Sequence, residues 1–571
     1  MKLFTELRSL LHSIDHKSYP AYKALAGGWQ FEHFILFIDH VQGDPFASPS
    51  SLRVEVSHQT AGFPAAYYKR DCSRIALQDF LTRQLSRQFE NYNFKARGSG
   101  KSGLLFISRC GQEVLERSAC QITEKCVTVR FQTGFPAFGR TIDAGELEKI
   151  LFEFLPRCIE NGLFFKNLDH KKVENAIFLA EDQKSLREIL KKEKLVAFVA
   201  NKSILPRKSG VSDLPLSESV PFISPSSMER TFDLPHRGKI RGMAVPQGIT
   251  LIVGGGYHGK STLLEAIQMG IYNHIEGDGR EFVITDDTAL KLRAEDGRCV
   301  RNVDISLFIN HLPNKKDTHA FSSEDASGST SQAAGVIEGI EADTRLFLID
   351  EDTSATNFMV RDELMQQVIS REREPITPFL ERGRELYEKS GISTILVAGS
   401  SGAFFYIADC ILQMDCYRPV DITDQVKKLC QNHTAPRIQA PDFSMPTFDR
   451  IFPAFRADGR RGSSRSGDRR YEHMKVKSYG LESFSLDKEN VNVRYLEQLA
   501  DAEQTMALAY LLRFGLEQIV DGKKTLRQTV EMIFNTLEKR GWEAFCSSYV
   551  PCGLAKPRKQ ELFACFNRFR G

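Results

Sequence analysis

Short apolar runs separated by turn residues fill the first part of the chain. Residues 1–26 predict an amphipathic helix, and the runs in residues 28–155 predict a helix at 75–88 and strands at 34–38, 104–107 and 127–131. Residues 201–230 then hold eight serines and four prolines, a composition that disfavours regular elements and indicates a connector. A mixed α+β domain is therefore expected before the first boundary.

The middle of the chain follows a different pattern. Apolar runs of the fully buried type, at 250–253, 346–349 and 394–398, alternate with helical segments from Arg241 to about Thr423. Strands that are apolar on both faces are typical of a parallel sheet covered by helices. The pattern therefore predicts an α/β core.

Basic residues and helices fill the remainder. The stretch from Arg456 to Lys477 carries eight Lys or Arg against three acids, and its glycines predict a mobile loop. Two helices are expected after it, the first ending near Gly522 and the second at Gly541. The predicted organisation is an N-terminal α+β domain (1–200), a connector (201–240), an α/β core (241–435), a basic loop (436–480) and a mostly helical C-terminal domain (481–571).

Composition narrows the function classes. The 571 residues are 42% hydrophobic and 26% charged with a net charge of +3, so the chain should fold and only local basic clusters could bind a polyanion. Twelve scattered cysteines without a CxxC pair favour reduced thiols and a cytoplasmic location. The longest apolar run, 392–412, contains Asp409 and two glycines, which predicts a strand, turn and helix and no membrane span.

One glycine-rich run predicts a phosphate site. Residues 254–261, GGGYHGKS, fit GxxxxGK[ST], follow an apolar strand and precede a helical segment. Glycines let backbone N–H groups surround a phosphate, Lys260 reaches the outer phosphates, and the Ser261 hydroxyl can bind Mg²⁺, while Tyr257 and His258 fill the loop. The predicted nucleotide-binding residues of this segment are Gly254, Gly255, Gly256, Tyr257, His258, Gly259, Lys260, Ser261 and Thr262.

A second lysine-containing turn does not match the phosphate-binding motif. In the run from Arg97 to Gly103, Lys95 stands where the first glycine of the motif belongs. We therefore interpret this run as a basic turn before a strand, with a contact to nucleic-acid phosphate as the alternative.

An apolar strand ending in two acids completes the predicted chemistry. The run 346–351, LFLIDE, places Asp350 and Glu351 at the carboxyl edge of a parallel sheet, where ligands bind. Asp350 is predicted to hold Mg²⁺, and Glu351 to orient and polarise the water that attacks the γ-phosphate of ATP. The alternative is a solvated strand end.

These residues resemble an ABC-type nucleotide-binding domain. Residues 327–332, SGSTSQ, look like the LSGGQ-type signature, and 354–357, SATN, look like the D-loop. The resemblance implies a head-to-tail homodimer, in which the signature residues of one protomer close on ATP held by Lys260 of the other. The signature residues predicted to bind nucleotide are Ser327, Gly328 and Ser329.

Further runs resemble the predicted ATPases of the ABC class, a family that is not made of transporters. The most specific are DEDTSATNFM at 350–359 and ASGSTSQAA at 326–334. The others are Gln42–Ala47, 134–137, 139–142, 205–207, 209–210, 277–281 and 374–378. The resemblance spans most of the chain and implies an ABC-type P-loop ATPase core between an N-terminal α+β domain and a mostly helical C-terminal domain.

The chain departs from the wider ABC pattern at several positions. The segment 398–402, AGSSG, replaces the switch histidine, so Ser400 is the predicted catalytic contact to the γ-phosphate, beside Lys260 and Glu351. Asn357 replaces the D-loop aspartate. Asn310 or Ser306 could supply the Q-loop group. Phe232 is a candidate for stacking on the base, and a core phenylalanine is the alternative.

Three functions remain open on these grounds. The first is a dimeric Mg-ATPase that acts on RNA or another single-stranded nucleic acid through Arg456–Lys477 and the basic C-terminal segment, where Phe563, Phe566 and Phe569 alternate with cations. Inward packing of those rings is the alternative. The second function is a binding module that ATP locks as a dimer with negligible turnover. The third, a small-molecule kinase, leaves the 326–334 run unexplained.

Overall fold

The structure is a computed structural model, which describes residues 2–362, 368–369, 373–436, 440–454 and 473–570. The chain forms two compact units, Met1–Asp182 with Arg540–Lys556 and Gln183–Lys539 with Pro557–Gly571. Within the predicted basic loop, residues 437–439 and 455–472 lie outside the described residues.

A mixed sheet organises the first unit. Its strands run in the order β1-β2-β3-β4-β8-β5, with β7 paired to β8, and only β1 and β2 are parallel. The strands of this unit are β1 Lys2–Leu3, β2 Gly27–Gln30, β3 Ile35–His40, β4 Ser50–Ser57, β5 Leu105–Phe106, β6 Glu113–Val114, β7 Cys120–Ile122, β8 Cys126–Thr133, β9 Ala137–Phe138 and β10 Thr141–Ile142.

Side-chain alternation explains why the central strands form. Along β4, Leu52, Val54 and Val56 are buried while Arg53 and Glu55 between them are half-buried, which is the two-residue period of a strand with one core face. Helices cover that face. They are Phe4–Ser13, His58–Ala61, Ala66–Lys69, Asp71–Glu90, Ala144–Glu148 and Leu155–Leu163, with shorter turns at Tyr19–Leu25, Lys149–Phe154, Phe165–Asn167 and Trp542–Phe545. The predicted strands and helices of this region are confirmed.

The chain enters the second unit within the helix His170–Lys192. An antiparallel sheet of order β14-β15-β11-β18 comes first, and a short hairpin, β12 with β13, forms where the composition indicated no regular element. These strands are β11 Leu195–Ala200, β12 Arg207–Ser209, β13 Ser212–Pro215, β14 Glu229–Leu234, β15 Gly238–Pro246 and β18 Val283–Thr285.

A six-stranded sheet forms the core of this unit. Its order is β19-β22-β23-β16-β24-β25, and all neighbours are parallel except β24 and β25. Every residue of β22 and β23 is buried, as expected for strands with helices on both faces. The strands are β16 Ile249–Val253, β19 Leu290–Leu292, β22 Leu346–Asp350, β23 Ser393–Val397, β24 Cys410–Asp415 and β25 Arg418–Asp421.

Helices and a hairpin accompany this sheet. The helices are Lys260–Met269, Gly328–Glu341, Thr356–Met359, Phe379–Ser390 and Thr423–Cys430, with 3₁₀ turns at Glu351–Thr353 and Gly402–Tyr406. The remaining strands of the region are β17 Asn273–His274 and the hairpin of β20 Arg298–Val303 with β21 Phe321–Ala326. The run 392–412 thus forms β23, a 3₁₀ turn and the start of β24, not a final helix. No described helix has the length and apolar character needed to cross a membrane.

The C-terminal part combines three strands with helices. A meander of β26 Val476–Tyr479, β27 Ser483–Leu486 and β28 Glu489–Asn492 precedes the helices Ala502–Phe514, Leu526–Arg540 and Lys559–Arg568, with a π-helical turn at Gly515–Ile519. The two predicted helices are confirmed, and the meander and the last helix are additional.

The rings of the C-terminal segment pack inward. Phe563, Phe566 and Phe569 are all at least 95% buried, so they form core and cannot stack on a nucleic-acid base. Arg558 and Arg568 form ion pairs with Glu561 and Glu295, respectively. The predicted stacking of these rings on nucleic-acid bases is therefore wrong, while contact of the exposed cations of the segment with phosphate stays a prediction.

The run 205–207 and the run 277–281, which both resemble the family, are hydrogen-bonded to each other. The Arg207 guanidinium donates to both carboxylate oxygens of Asp278, at 2.8 and 2.9 Å, and Arg280 donates to the Leu205 carbonyl oxygen at 2.8 Å. Burial alone would raise the pKa of Asp278, but hydrogen bonds from His274 and Arg207 hold that pKa below its ordinary value. These runs stabilise the unit.

Asp278→Asn is expected to lower the free energy of unfolding by about 3–5 kcal/mol at pH 7, because it leaves a buried guanidinium without its anion. A carboxylate whose folded-state pKa is depressed stabilises the fold above about pH 4 and loses that contribution as pH falls through the folded-state pKa. The difference between variant and wild type in chemical denaturation should therefore shrink in acid.

Asp287→Asn is the matched control. Asp287 forms an exposed ion pair with Lys191 at 3.2 Å, and surface pairs of this kind contribute about 1 kcal/mol or less. Equal losses in the two variants would contradict the role assigned to Asp278.

Candidate nucleotide site

The backbone of the loop after β16 passes close to the backbone of β24. Gly254 has φ +140°, and a Cβ atom there would lie 2.5 Å from the carbonyl oxygen of Met414. Gly259, at φ +94°, is the N-cap of the helix Lys260–Met269. Both positions need glycine because side chains rarely adopt these φ values. The strand, loop and helix order predicted for residues 250–269 is confirmed.

Lys260 folds back over this loop. Its Nζ donates hydrogen bonds to the carbonyl oxygens of Gly254 and Gly255, both at 2.9 Å. Ser261 is exposed in the first turn of the helix and Thr262 is half-buried beside it. The ammonium group and the helix N-terminus therefore lie together at the loop, as binding of a phosphate requires.

His258 joins the loop to the turn between β24 and β25. Its Nδ1 accepts the Cys416 N–H at 3.0 Å, and its carbonyl oxygen accepts the Tyr417 N–H at 3.2 Å. Donor atoms of His258, Asp415 and Cys416 lie within 4.8 Å of one another. Sequence reasoning missed the contact of His258 with the β24–β25 turn, because the phosphate loop and that turn are more than 150 residues apart. Tyr257, the neighbour of His258, is fully exposed.

Register places the two acids at the same edge as the loop. Ile252 and Asp350 each pair with Val397 of β23, so β16 and β22 end at one level, about 10 Å apart across a single intervening strand. Asp350 is 8% exposed, and its carboxylate accepts the Asp352 N–H at 3.1 Å.

Glu351 is held by the segment that follows β23. Its carboxylate accepts the backbone N–H groups of Gly399 at 2.8 Å and Ser400 at 3.1 Å, and the Ser400 hydroxyl also donates to it. The predicted catalytic residues Glu351 and Ser400 are thus in direct contact. In this arrangement Ser400 orients the carboxylate, a contact that the sequence did not indicate.

The signature residues begin the helix Gly328–Glu341. Ser327 is its exposed N-cap residue, and the Ser329 hydroxyl donates to the Asn357 side chain at 2.6 Å. The atoms nearest to a Cβ placed on Gly328 belong to Asp296, Ala294 and Ala355, and none belongs to the phosphate loop.

Hydrogen bonds connect this helix with the strand that ends in the acids. The buried Gln332 side chain donates to the Ser354 hydroxyl and accepts the Ala355 N–H, both at 2.9 Å. Ser354 in turn donates to the Asp350 carbonyl oxygen at 2.8 Å. The signature, the predicted D-loop and the acid strand therefore form one bonded network within a protomer.

The remaining predicted residues lie apart from this network. Asn310 donates through its side chain to the Ser306 carbonyl oxygen, and its N–H bonds to Pro375. Phe232 is half-buried on β14 and packs against Phe198 with ring centroids 5.4 Å apart. That packing favours the core interpretation of Phe232.

The residues at this edge fit a nucleotide with Mg²⁺. A hydroxyl on Ser261 and a carboxylate on Asp350 are the oxygen ligands that Mg²⁺ prefers, and Gly256 has open space around the position of a Cβ. The phosphate loop, buried acid strand and signature helix together define a P-loop ATPase of the ABC type.

Three family models match the chain. The ABC-class ATPase N-terminal model matches residues 4–166, the ABC ATPase P-loop domain model matches 169–449, and the MRB1590 C-terminal domain model matches 475–571. The chain belongs to the ATPases of the ABC class, as its sequence runs predicted.

A curated relative matches part of the chain. The uncharacterized protein MJ1628 of Methanocaldococcus jannaschii is 35% identical over 234 residues, which cover 38% of this chain and 50% of that protein. The chain thus spans about half the length of this relative.

Solved structures with some likeness are ATP-binding cassettes. CbiO1 of Clostridium perfringens, part of the ABC transporter complex CbiONQ, is 11% identical with a TM-score of 0.26 and covers 42% of this chain and 94% of its own. The ADP conformation of MJ1267, an ATP-binding cassette of an ABC transporter, is 12% identical with a TM-score of 0.26 and covers 42% and 95%. Likeness at this level carries no argument about function.

Proposed function

We propose that the chain is a cytoplasmic ATPase that binds and hydrolyses Mg-ATP at the interface of a head-to-tail homodimer and acts on single-stranded RNA. The observation that carries the ATPase part is the common edge of β16, β22 and β23. There the loop that leads to Lys260 follows β16, Asp350 ends β22, and Ser400, which contacts Glu351, follows β23, so all three lie at one edge of the parallel sheet.

The residues have distinct roles in hydrolysis. Lys260 and the N–H groups of the glycine loop bind the outer phosphates, while Ser261 and Asp350 would hold Mg²⁺. When bound, Mg²⁺ neutralises charge on the phosphate oxygens. Glu351 orients the attacking water and accepts its proton, and the Gly399–Ser400 segment fixes the direction of the carboxylate.

The position of the signature supports a shared site. Ser327 is exposed, and the close neighbours of Gly328 in its own protomer come from segments other than the phosphate loop. An exposed helix N-terminus can bind the phosphates of a nucleotide that another protomer holds. A head-to-tail dimer satisfies this geometry twice, by symmetry.

One observation favours the second candidate, a dimer that ATP locks with negligible turnover. Glu351 already accepts three hydrogen bonds from Gly399 and Ser400. These donors occupy the carboxylate oxygens that would otherwise contact the attacking water. If water cannot displace one of these donors, binding would close the dimer without hydrolysis.

The outer face of the meander supports the RNA part. Register places Lys477, Ser485 and Asn490 across one face and Tyr479, Ser483 and Asn492 beside them. Lys477 and Tyr479 are exposed, and the strand that carries them directly follows the arginine-rich segment. A cation and an accessible ring on one sheet face suit a single strand.

Binding and turnover of the full chain test this proposal together. Fluorescence anisotropy with a labelled 12-nucleotide single-stranded RNA should give an affinity that falls steeply with KCl, because each phosphate contact releases counterions. Replacing Arg456, Arg460, Arg461, Arg465, Arg469 and Arg470 with alanine should weaken binding by about tenfold or more at low salt and flatten the salt slope.

Phosphate release from Mg-ATP is the control for that variant. Without RNA, the rates of the arginine variant and the wild type should agree, because none of the six arginines belongs to the sequence motifs assigned to the nucleotide site. Salt-independent binding, or none, would remove RNA from the proposal and leave the ATPase part standing.

A further inference from the structure

A second surface of the first unit combines exposed rings with cations around the lysine turn at 97–103. We call it the ring surface. Its members are Phe46, Phe94, Lys95, Arg97, Lys101, Phe138 and Arg140.

Its three phenylalanines are unusually accessible. Phe138 is 84% exposed, Phe46 is 62% exposed and Phe94 is 56% exposed. Single exposed apolar residues are common on protein surfaces, but several rings around one turn form the kind of patch that marks a binding site. More than half of the surface of each of the three side chains therefore contacts solvent and not the core.

The turn holds the rings in place through backbone contacts. The Ser99 N–H donates to the Ala137 carbonyl oxygen at 2.8 Å, and the Gly139 N–H donates to the Ser99 hydroxyl at 3.0 Å, so both neighbours of Phe138 are fixed. The Lys101 N–H bonds to the Pro45 carbonyl oxygen at 2.9 Å. Rigid placement lowers the entropy lost when a ligand binds.

Glycine permits this close packing. A Cβ atom at Gly100, whose φ is +61°, would lie 2.9 Å from the Phe46 ring, and one at Gly134 would lie 1.7 Å from the Lys101 carbonyl oxygen. Phe94 itself has φ +57° while its N–H bonds to Gly103. A bulky side chain in this region of φ is strained, and such strain concentrates at functional sites.

Cations lie between and beside the rings. Lys95 and Arg97 are exposed, Lys101 is half-buried, and Arg140 is exposed in an ion pair with Asp44 at 2.7 Å. The nearest other acid, Glu146, accepts the Arg97 N–H and pairs with Lys149. The surface therefore keeps an excess of positive charge.

We propose that the ring surface binds unpaired nucleotides of single-stranded RNA, with Phe46, Phe94 and Phe138 stacking on bases and Lys95, Arg97 and Lys101 contacting phosphates. Every base presents a π-face, so stacking tolerates different sequences, and the cations follow the backbone. This inference rests on the RNA part of the proposed function and gives that partner a defined binding surface on the first unit.

RNA fits this surface better than a lipid bilayer does. The cations belong to the same surface as the rings. A ring inserted into lipid would therefore bring charged side chains toward the hydrocarbon, which is costly. A single strand, in contrast, offers bases and phosphates in alternation.

The test uses the full chain and a 12-nucleotide single-stranded RNA that carries 5-iodouridine. Phe46→Ala with Phe138→Ala should weaken binding in anisotropy by about 30-fold or more, because each stacking ring that is lost costs about 5- to 160-fold. Photo-crosslinking followed by mass spectrometry should place crosslinks on peptides that contain Phe46, Phe94 or Phe138.

The control variant combines Phe178→Ala with Lys171→Ala, because it removes an exposed ring and an exposed cation from the helix His170–Lys192. It should bind like the wild type. Both exchanges of the test variant are at exposed positions, and equal melting temperatures in the test and control variants would confirm intact folding.

Three outcomes would overturn the inference. Wild-type RNA affinity in the test variant, with crosslinks elsewhere, would reject the ring surface but leave the proposed function intact. Co-sedimentation of the wild type with phosphatidylcholine and phosphatidylserine vesicles, lost in Phe46→Ala with Phe138→Ala, would assign the surface to a membrane. Failure of the wild type to bind any RNA would reject both RNA proposals and leave ATP hydrolysis untouched.

Discussion

Glu351→Gln is expected to lower ATP turnover by about 10²- to 10⁴-fold while ATP affinity stays near that of the wild type. The glutamine oxygen can still accept the N–H groups of Gly399 and Ser400, and its amide can donate to the Ser400 hydroxyl, so the geometry seen at Glu351 is retained. Only the negative charge that accepts the proton is lost. Phosphate release in single-turnover assays measures the effect, and equilibrium binding of a fluorescent ATP analogue measures affinity.

Asp352→Asn is the matched control for this variant. Asp352 is the next residue along the chain, and the contact found for it is the one from its N–H to the Asp350 carboxylate, which the exchange leaves in place. Turnover of this variant should stay within a fewfold of the wild type. Wild-type turnover that is already negligible, and unchanged in Glu351→Gln, would favour the locked dimer over the ATPase.

Ser327→Asp is expected to abolish ATP-dependent dimerisation and turnover. Aspartate caps a helix about as well as serine, so the helix Gly328–Glu341 should keep its stability, while the added charge repels the triphosphate that this helix end would bind. Sedimentation velocity of the purified chain with and without Mg-ATP, on a Glu351→Gln background that keeps ATP bound, checks the first effect.

Mixing two inactive variants shows whether the site is shared. Lys260→Ala lacks the phosphate contact and Ser327→Asp lacks the signature contact, but a heterodimer of the two would contain one intact site. An equal mixture should recover about a quarter of wild-type turnover or more, because random pairing makes half of the dimers mixed with one intact site each, and loss of self-pairing by the variants raises that share. A mixture as inactive as its components would contradict the head-to-tail arrangement.

The nucleotide site could be predicted because its parts are local. A glycine loop between a strand and a helix, and acids at the end of an apolar strand, are each defined within about ten residues. The contact between Ser400 and Glu351 spans 49 residues, and the one between His258 and Cys416 spans 158. Such contacts depend on strand order and register, which a residue pattern does not contain.

The C-terminal region, in contrast, could be predicted only in part from the sequence. Its meander has strands of only four residues with a polar outer face, so the apolar signal is weak. From the sequence, the alternation of cations and phenylalanines at 556–570 was compatible both with stacking on nucleic acid and with core packing. The burial of the rings in the structure favours core packing. Periodicity alone does not tell which side of a helix faces a neighbour.

The amino-acid sequence by itself predicted the α/β core, the candidate phosphate loop and its acids, because each is defined within a short stretch of chain, and its resemblance to known ATPases predicted the class. Only the tertiary structure decided that Ser400 holds Glu351, that Arg207 and Asp278 form a buried pair, and that Phe46, Phe94 and Phe138 surround one turn in solvent. Those relations join residues far apart in the chain, and packing and strand register, not local preference, bring them together.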